Sequence, residues 1–428
     1  MTPAEKYADS YAQTIRLLFT EILQSKQSAD RVVAGYFRLN KKHGGRDRRI
    51  IRETLFALFR WYGWLIRIPA ANEEQRWFRQ LATCGLLEQH PWHATLTAWQ
   101  LRAGLLPHEG SAWQQLTEAA ELLQLWFSGS DFPVQALVPE WFWAQLPGLS
   151  DNQLMQLLQS LSRRPPLWLR VQRLPTASAI QSLQAAGFSV EASTFFDDAL
   201  SLGHQSINLN EQSLYKDGQL EVQDLASQVI GHICAPQAGE HWWDACCGAG
   251  GKSLQLASQM QNRGHIVASD IRQSALQELQ KRASRAQFDI ISPALWPSDK
   301  LPVAAAMFDG VLVDAPCSCT GTWRRNPDMR WLDEVTAVTD KPQLQLDILQ
   351  RASAAVKPGG ILVYATCSLA LAENRAVVDR FLNDNADFQL QLLQHPFTGE
   401  KTEYLTVWPF EADSDGMFVV RMCRQQRQ

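Results

Sequence analysis

The chain has no long apolar run. No stretch approaches the ~18 uncharged apolar residues of a membrane span, and Met1-Thr-Pro-Ala-Glu-Lys6 offers no basic segment followed by an apolar core. A cytoplasmic protein without a membrane partner is expected. Cysteine is sparse, at eight in 428 residues, which excludes a disulfide framework and leaves reduced thiols. The close pairs Cys246-Cys247 and Cys317-x-Cys319 contain no Cys-x-x-Cys and have no accompanying histidine, so no metal is expected. An excess of positive charge is missing too. The formal net charge of −4 argues against wholesale coating of nucleic acid, while permitting a local basic groove. None of these features speaks to oligomeric state.

What is present is an ordinary globular composition, 46% apolar and 20% charged, long enough for two or three domains of roughly 100–200 residues. Residues 1–133 read as helical and possibly RNA-binding. Tyr11, Ile15, Leu18, Phe19 and Ile22 recur at helical spacing, as do Ile50, Ile51, Leu55, Leu58 and Phe59. Between them lies the most basic part of the chain, with Lys41, Lys42, Arg46, Arg48 and Arg49. It is either a solvated helix face or a phosphate contact. Sixteen tryptophans, concentrated before residue 170, suit a core better than an exposed stacking surface. Residues 134–235 read as a small α+β module, with a strand at 165–173, a helix at 177–186, a strand at 218–222 and Asp224 capping a further helix. Arg170 and Arg173 either face a nucleic acid or serve solubility.

Residues 236–428 alternate strands and helices in the manner of a doubly wound, Rossmann-like sheet, so the whole is α/β. Its first turn is Asp244-Ala-Cys-Cys-Gly-Ala-Gly-Gly-Lys-Ser253. Glycines at 248, 250 and 251 let the backbone bend sharply and approach a ligand beside exposed helix-start amides. A phosphate-cradling loop would need glycine at Cys246, and a dinucleotide turn would need it at Ser253. An adenosyl-methionine turn, with an acidic strand end and a glycine-rich loop, fits. Strands follow at His265-Ile-Val-Ala-Ser-Asp270, weakly near 288–291, at 308–314 and at 359–366. Ligands of such sheets bind outside the carboxyl ends of the strands, which places Asp270 for the ribose hydroxyls.

Two thiols arrive at the same edge, in Asp314-Ala-Pro-Cys-Ser318 and in Thr366-Cys-Ser368. They are either small buried hydrophobes or reagents. A methyltransferase has a use for them: cytosine C5 is a poor nucleophile, and a thiolate adding to C6 turns the ring into an enamine that attacks the methyl group. Amino-methyltransferases need no thiol and carry Asp/Asn-Pro-Pro and an aromatic at this strand end. Cys317 stands here instead, which favours carbon as the methyl acceptor.

With these motifs the sequence resembles the RNA cytosine-5 methyltransferases of the Nol1/Nop2/Sun type, most closely the bacterial 16S rRNA members with an N-terminal helical domain. The resemblance spans roughly 140–424. Besides the turn and the two thiol motifs it rests on Pro166-Leu-Trp-Leu-Arg170, Val222-Gln-Asp224, Arg324-Arg-Asn-Pro-Asp-Met-Arg-Trp331, Glu373-Asn374 and Asp415-Gly-Met-Phe418. It implies S-adenosyl-methionine as cofactor and RNA, most readily rRNA, as partner. It implies that Cys367 adds to C6, that Cys317 assists release of the adduct, and that Asp314 bonds the cytosine edge. Lys252 would lie near cofactor and base. Asp244, Cys246, Cys247, Gly248, Ala249, Gly250, Gly251, Lys252, Asp270 and Asp314 would line the cofactor, and the loop 324–331 would shape the RNA side of the pocket.

The chain departs from the family twice. Gly248-Ala249 replace the usual Ala-Pro of the turn, which makes it less preorganised. After the third strand, Ser292-Pro-Ala-Leu-Trp296 offers no acid for the adenine amino group, Asp299 being the nearest. A tRNA substrate explains the same motifs, and an RNA-binding assembly protein of weakened activity suits the departures. A DNA cytosine methyltransferase would leave Thr366-Cys367 without a purpose and would need a target-recognition insertion.

Overall fold

The computed structural model describes residues 3–107, 112–146, 148–204 and 207–426; Met1 and Thr2 of the N-terminal segment lie outside the described residues. The chain divides into two units, Met1–Arg163 with Trp323–Glu334, and Arg164–Thr322 with Val335–Gln428. Among the described residues no helix is long and apolar enough to cross a membrane.

The first unit is helical, with principal helices Pro3–Ser25, Ala29–Leu39, Gly45–Leu65, Glu73–Leu87, His93–Arg102, Leu116–Trp126 and Asp151–Leu161. Both apolar stripes read from the sequence are buried along their whole length, because residues three and four apart share one helix face. Helical structure continues past 133, where the sequence reading ended it. Trp64 donates its indole N–H to the carbonyl of Pro133 at 2.8 Å, and Leu137, Phe142, Leu157, Leu158 and Leu161 are buried beyond it. Ser150 caps the last helix, accepting from the Gln153 amide while the Gln153 side chain accepts from the Ser150 amide. Of the basic run, Arg48 donates to the His43 carbonyl, Arg49 pairs with Glu53 and Arg52 with Asp30. Lys41, Lys42 and Arg46 stand exposed.

Trp323–Glu334 belongs to this helical unit although it sits in the chain between the two thiol motifs. Trp323, Arg324, Pro327, Asp328, Arg330 and Leu332 of this segment are buried, while Arg325 is exposed. The Arg330 guanidinium is fully buried and donates to the carbonyls of Leu161 at 2.8 Å, Leu137 at 2.9 Å, Arg60 at 3.3 Å and Trp323 at 3.4 Å. Burial pulls it down to about 9. Trp331 donates to the Phe59 carbonyl at 2.6 Å, and Asp328 accepts from the Ala29 amide at 2.7 Å, capping the second helix.

The second unit contains two main sheets. The smaller is antiparallel, in the order β2-β3-β1-β4, with β1 at Trp168–Val171, β2 at Glu191–Ala192, β3 at Ala199–Ser201 and β4 at Leu220–Val222. Arg170 on β1 is fully buried and donates to Gln223 at 2.6 Å; Arg173 donates to Ala286 and Gln287. Both are thus engaged inside the unit. Asp224 caps the following helix as read, accepting from the Ala226 amide.

The larger sheet comprises β5 (His241–Asp244), β6 (His265–Asp270), β7 (Ile291–Leu295), β8 (Phe308–Asp314), β9 (Val356–Thr366), β10 (Phe388–Leu390), β13 (Leu405–Val407) and β14 (Met417–Arg424). A separate pair, β11 (Leu393–Gln394) and β12 (Lys401–Thr402), lies off it. The order is β10-β14-β9-β8-β5-β6-β7, with β13 on β14; β5 to β9 run parallel and β14 is antiparallel to β9. Trp242 and Trp243 on β5 enter the two opposite cores, as alternation along a strand requires. Opposite Trp242 stands Gly310 on β8, where an added Cβ would meet the indole ring at 2.3 Å. The third parallel strand begins at Ile291 rather than ending there, so Ser292 to Leu295 is the strand itself. Asp299 lies exposed beyond it, paired with Arg351 at 2.9 Å.

Replacing Arg330 with alanine removes the guanidinium donors from the carbonyls of Leu161, Leu137 and Trp323. Arg330→Ala is expected to lower stability by about 3 kcal/mol, read from the denaturant midpoint; a loss under about 1 kcal/mol would show that the segment is not anchored this way.

Candidate active site

β5 has β6 on one side and β8 on the other, so the sheet reverses direction there and opens a crevice at the carboxyl ends. Four parallel strands end at that edge in Asp244, Asp270, Asp314 and Thr366. The residues that matter all follow from this.

The turn after β5 is pinned at both ends. The Cys247 amide donates to the Ser269 carbonyl at 2.8 Å, and the Gly250 amide to the Cys247 carbonyl at 2.8 Å. Gly250 has φ +86° and heads the helix Gly251–Gln259, where an added Cβ would lie 2.1 Å from Leu279. Gly248 has φ +55°, and a Cβ there would meet nothing nearer than 3.9 Å. The turn therefore presents open space at Gly248 and is tightly backed at Gly250. Arg282 supports it from below, donating to the Ala249 carbonyl at 2.7 Å and to Glu221 of β4 at 2.7 Å, while Arg285 holds the other Glu221 oxygen at 2.6 Å. The small sheet thereby braces the turn.

Asp244 is fully buried beneath the turn and accepts from the Ser253 hydroxyl at 2.6 Å. Burial pushes its carboxyl up to about 7, against the pull of Ser253. Cys247 is buried and Cys246 half-buried; burial and the neighbouring Asp244 carboxylate drive both thiols up. These are supporting residues of the loop rather than reagents. Asp270 accepts the Gly248 amide at 3.0 Å, the Arg272 amide at 2.8 Å and the Arg272 guanidinium at 3.0 and 3.2 Å. These bonds fill a carboxylate's roughly four acceptor positions. A ribose diol fits Asp270 only when Arg272 swings aside, which its exposed side chain permits.

Lys252 donates to Asp314 at 2.6 Å. Burial works to lower the lysine, and Asp314 outweighs it and holds the ammonium above its ordinary value; burial likewise pushes Asp314 up despite Lys252. Beside this pair the two thiol turns converge, with Cys317 Sγ and Cys367 Sγ 3.3 Å apart.

What brings them together was not read from the sequence. Glu373, fully buried, accepts the Ser318 amide at 2.8 Å and Gln345 at 3.0 Å on one oxygen, and the hydroxyls of Ser318 and Ser368 on the other. Asn374 accepts from Thr366 at 2.6 Å and donates to the Ser368 carbonyl at 2.8 Å. The Gly321 amide donates to the Cys367 carbonyl at 2.9 Å. Glu373-Asn374 was visible only as a motif.

A third thiol joins the pair. The ligand atoms of Cys317, Cys319 and Cys367 all lie within 4.8 Å of one another. Hydrogen bonds from Cys317 and Cys367 carry Cys319 down to about 4, and the charge so formed holds back the other two, Cys367 rising to about 12 though Cys317 and Lys252 draw it down.

A glycine turn at the switch point of a doubly wound sheet, an acid closing the second strand and two thiols beside a Lys–Asp pair define a Rossmann-fold, S-adenosyl-methionine-dependent methyltransferase. Residues 232–423 match the family model of the 16S rRNA methyltransferase RsmB/F, and residues 138–208 that of the ferredoxin-like domain of RsmF/B-like methyltransferases. The chain belongs to the 16S rRNA methyltransferase RsmB/F family. The ribosomal RNA small subunit methyltransferase B of Pasteurella multocida is 31% identical over 294 residues, 67% of this chain and 65% of that protein. That of Yersinia pseudotuberculosis is 28% identical over 432 residues, covering 95% of this chain and 96% of its own. Among solved structures, PH0851 has the same fold over 100% of this chain and 99% of its own, at 22% identity and TM-score 0.74. NSun6 from Pyrococcus horikoshii, solved with the cofactor analogue SFG, covers 68% of this chain and 99% of its own, at 16% identity and TM-score 0.60.

Two variants test this geometry. An acid raised to about 7 binds a proton on folding, so Asp244 contributes stability that is complete below about pH 4 and is lost as pH rises to 7. Asp244→Asn is expected to remove that slope, seen as the difference in unfolding free energy from wild type across the window; parallel curves would mean that Asp244 is ionised throughout. Glu373→Ala frees both thiol turns and is expected to cut methyl transfer about 100-fold with cofactor affinity little changed. Equal losses in both would place Glu373 in cofactor binding instead.

Proposed function

We propose that this protein methylates C5 of a cytosine in small-subunit rRNA in the cytoplasm, using Cys367 as the covalent nucleophile. The meeting of two thiols at 3.3 Å on the carboxyl edge of a methyltransferase sheet carries this reading. Bound S-adenosyl-methionine supplies the methyl group to C5. Before that, Cys367 Sγ bonds to cytosine C6 and the ring electrons move toward C5. Lys252, close enough to Cys367 to favour its thiolate, stabilises the attacking form. Asp314, pushed up by burial and beside Lys252 at 2.6 Å, donates its carboxyl proton to cytosine N3 and makes the ring more electrophilic. After transfer, Cys317 as thiolate takes the C5 proton, the C5–C6 double bond re-forms, and Cys367 leaves C6 with the electrons of the C6–S bond. The Gly248–Gly251 turn holds the methionine half of the cofactor, and Asp270, released by Arg272, takes its ribose. Exposed Lys41, Lys42 and Arg46 suit an RNA-facing surface on the helical unit.

The test uses labelled S-adenosyl-methionine and rRNA lacking the modification. Wild type is expected to yield 5-methylcytidine. Cys367→Ala should lose about a thousandfold or more in transfer, and Cys317→Ala should accumulate an RNA–protein adduct that survives denaturation. Retained transfer by Cys367→Ala, or an adduct formed through Cys317, would reverse the two roles.

A further inference from the structure

We propose that Cys317, Cys319 and Cys367 together form a binding site for one thiophilic divalent cation, Zn2+ being the ion that fits, and that the bound ion takes the nucleophile out of reaction. The binding claim rests on geometry and donor chemistry; only the loss of reaction rests on the role given to Cys367.

Zinc held about 2.3 Å from three sulfurs at tetrahedral angles places those sulfurs about 3.8 Å apart. Here the Cys317–Cys367 separation is 3.3 Å, and all three ligand atoms lie within 4.8 Å. Adjustments of about half an ångström at the thiols complete the triangle. The donors are all sulfur, which selects soft ions such as Zn2+ over Mg2+ or Ca2+. Each of the three cysteines is half-buried rather than sealed, leaving a way in and an open fourth position of the kind that three-ligand zinc sites keep.

The triangle is held by the fold. Cys319 has φ +59°, the left-handed conformation that costs a residue bearing a Cβ about 1–2 kcal/mol. The turn keeps it there, since the Thr322 amide and hydroxyl both donate to the Cys319 carbonyl at 2.9 Å. Its Sγ turns back to within 3.5 Å of the Cys317 carbonyl. Ser318 and Ser368, joined through Glu373, fix the other two corners. The covalent mechanism uses Cys367 and Cys317 and leaves Cys319 without a task; Cys319 is the residue that turns a pair into a tridentate set.

Lys252 is the one unfavourable neighbour among those named, and its charge is offset by Asp314 at 2.6 Å. Binding releases thiol protons, so affinity falls as pH is lowered.

The experiment titrates the reduced, metal-free, full-length chain with Cd2+, reading the ultraviolet thiolate-to-metal charge-transfer band, and then with Zn2+ in competition. One ion per chain is expected. Cys319→Gly, which suits a positive φ, should lose about a third of the band and bind about tenfold or more weakly. Independently of any variant, Zn2+ should shield Cys317, Cys319 and Cys367 from iodoacetamide while Cys423 stays reactive, as read by peptide mass. An unchanged band and affinity in Cys319→Gly, or three thiols alkylated equally with and without Zn2+, overturns the site. Those outcomes leave the methyl-transfer reading standing. If instead Zn2+ binds and shields the three thiols but does not slow methyl transfer, the site stands and the role of Cys367 fails.

Discussion

A buried carboxylate holds the chemistry together. Glu373 sits between two turns that leave different strands and binds a serine from each, one beside Cys317 and one beside Cys367. Strand ends at a sheet edge are fixed by the ladder, whereas the turns beyond them are not. Without a shared acceptor, two such turns have no reason to keep their thiols in contact. A fully buried acid is costly unless its lone pairs are met, and here the donors that meet them are the turns themselves. The same bonds that make Glu373 tolerable inside the protein set the Cys317–Cys367 distance.

The cofactor side is organised by a chain of support. Glu221 of the small sheet holds Arg282, and Arg282 holds the Ala249 carbonyl of the glycine turn. Arg282 thereby braces the turn at Ala249. Asp270 is filled by the Gly248 and Arg272 amides and the Arg272 guanidinium.

The helical unit has a different kind of link to the site. Its segment Trp323–Glu334 follows Thr322, which belongs to the thiol turn, without a break in the chain. Arg330 ties that segment into the helices through four backbone carbonyls. Arg324 and Arg330 of this motif are spent on architecture, whereas Arg325, like Lys41, Lys42 and Arg46, is exposed.

Local chemistry was legible in the sequence. Helical spacing gave the buried stripes at 11–22 and 50–59, glycine spacing gave the ligand turn, and runs ending in Asp244, Asp270, Asp314 and Thr366 gave the reactive edge, because side-chain period and backbone freedom are properties of a few adjacent residues. β7 slipped by a few residues because an edge strand carries a weak apolar signal and includes Pro293. Arg170, read as facing a nucleic acid or serving solubility, is instead fully buried, since nothing in a linear sequence says whether a guanidinium will find acceptors inside. Spacing argued against a metal, because the close cysteine pairs contain no Cys-x-x-Cys and have no accompanying histidine. Only the parallel pairing of β8 with β9 carries Cys367 to Cys317 and Cys319. The sequence determined which groups are present and on what kind of turn; the tertiary structure decided which of them meet, because residues fifty apart are brought into contact by sheet register and a shared buried acid.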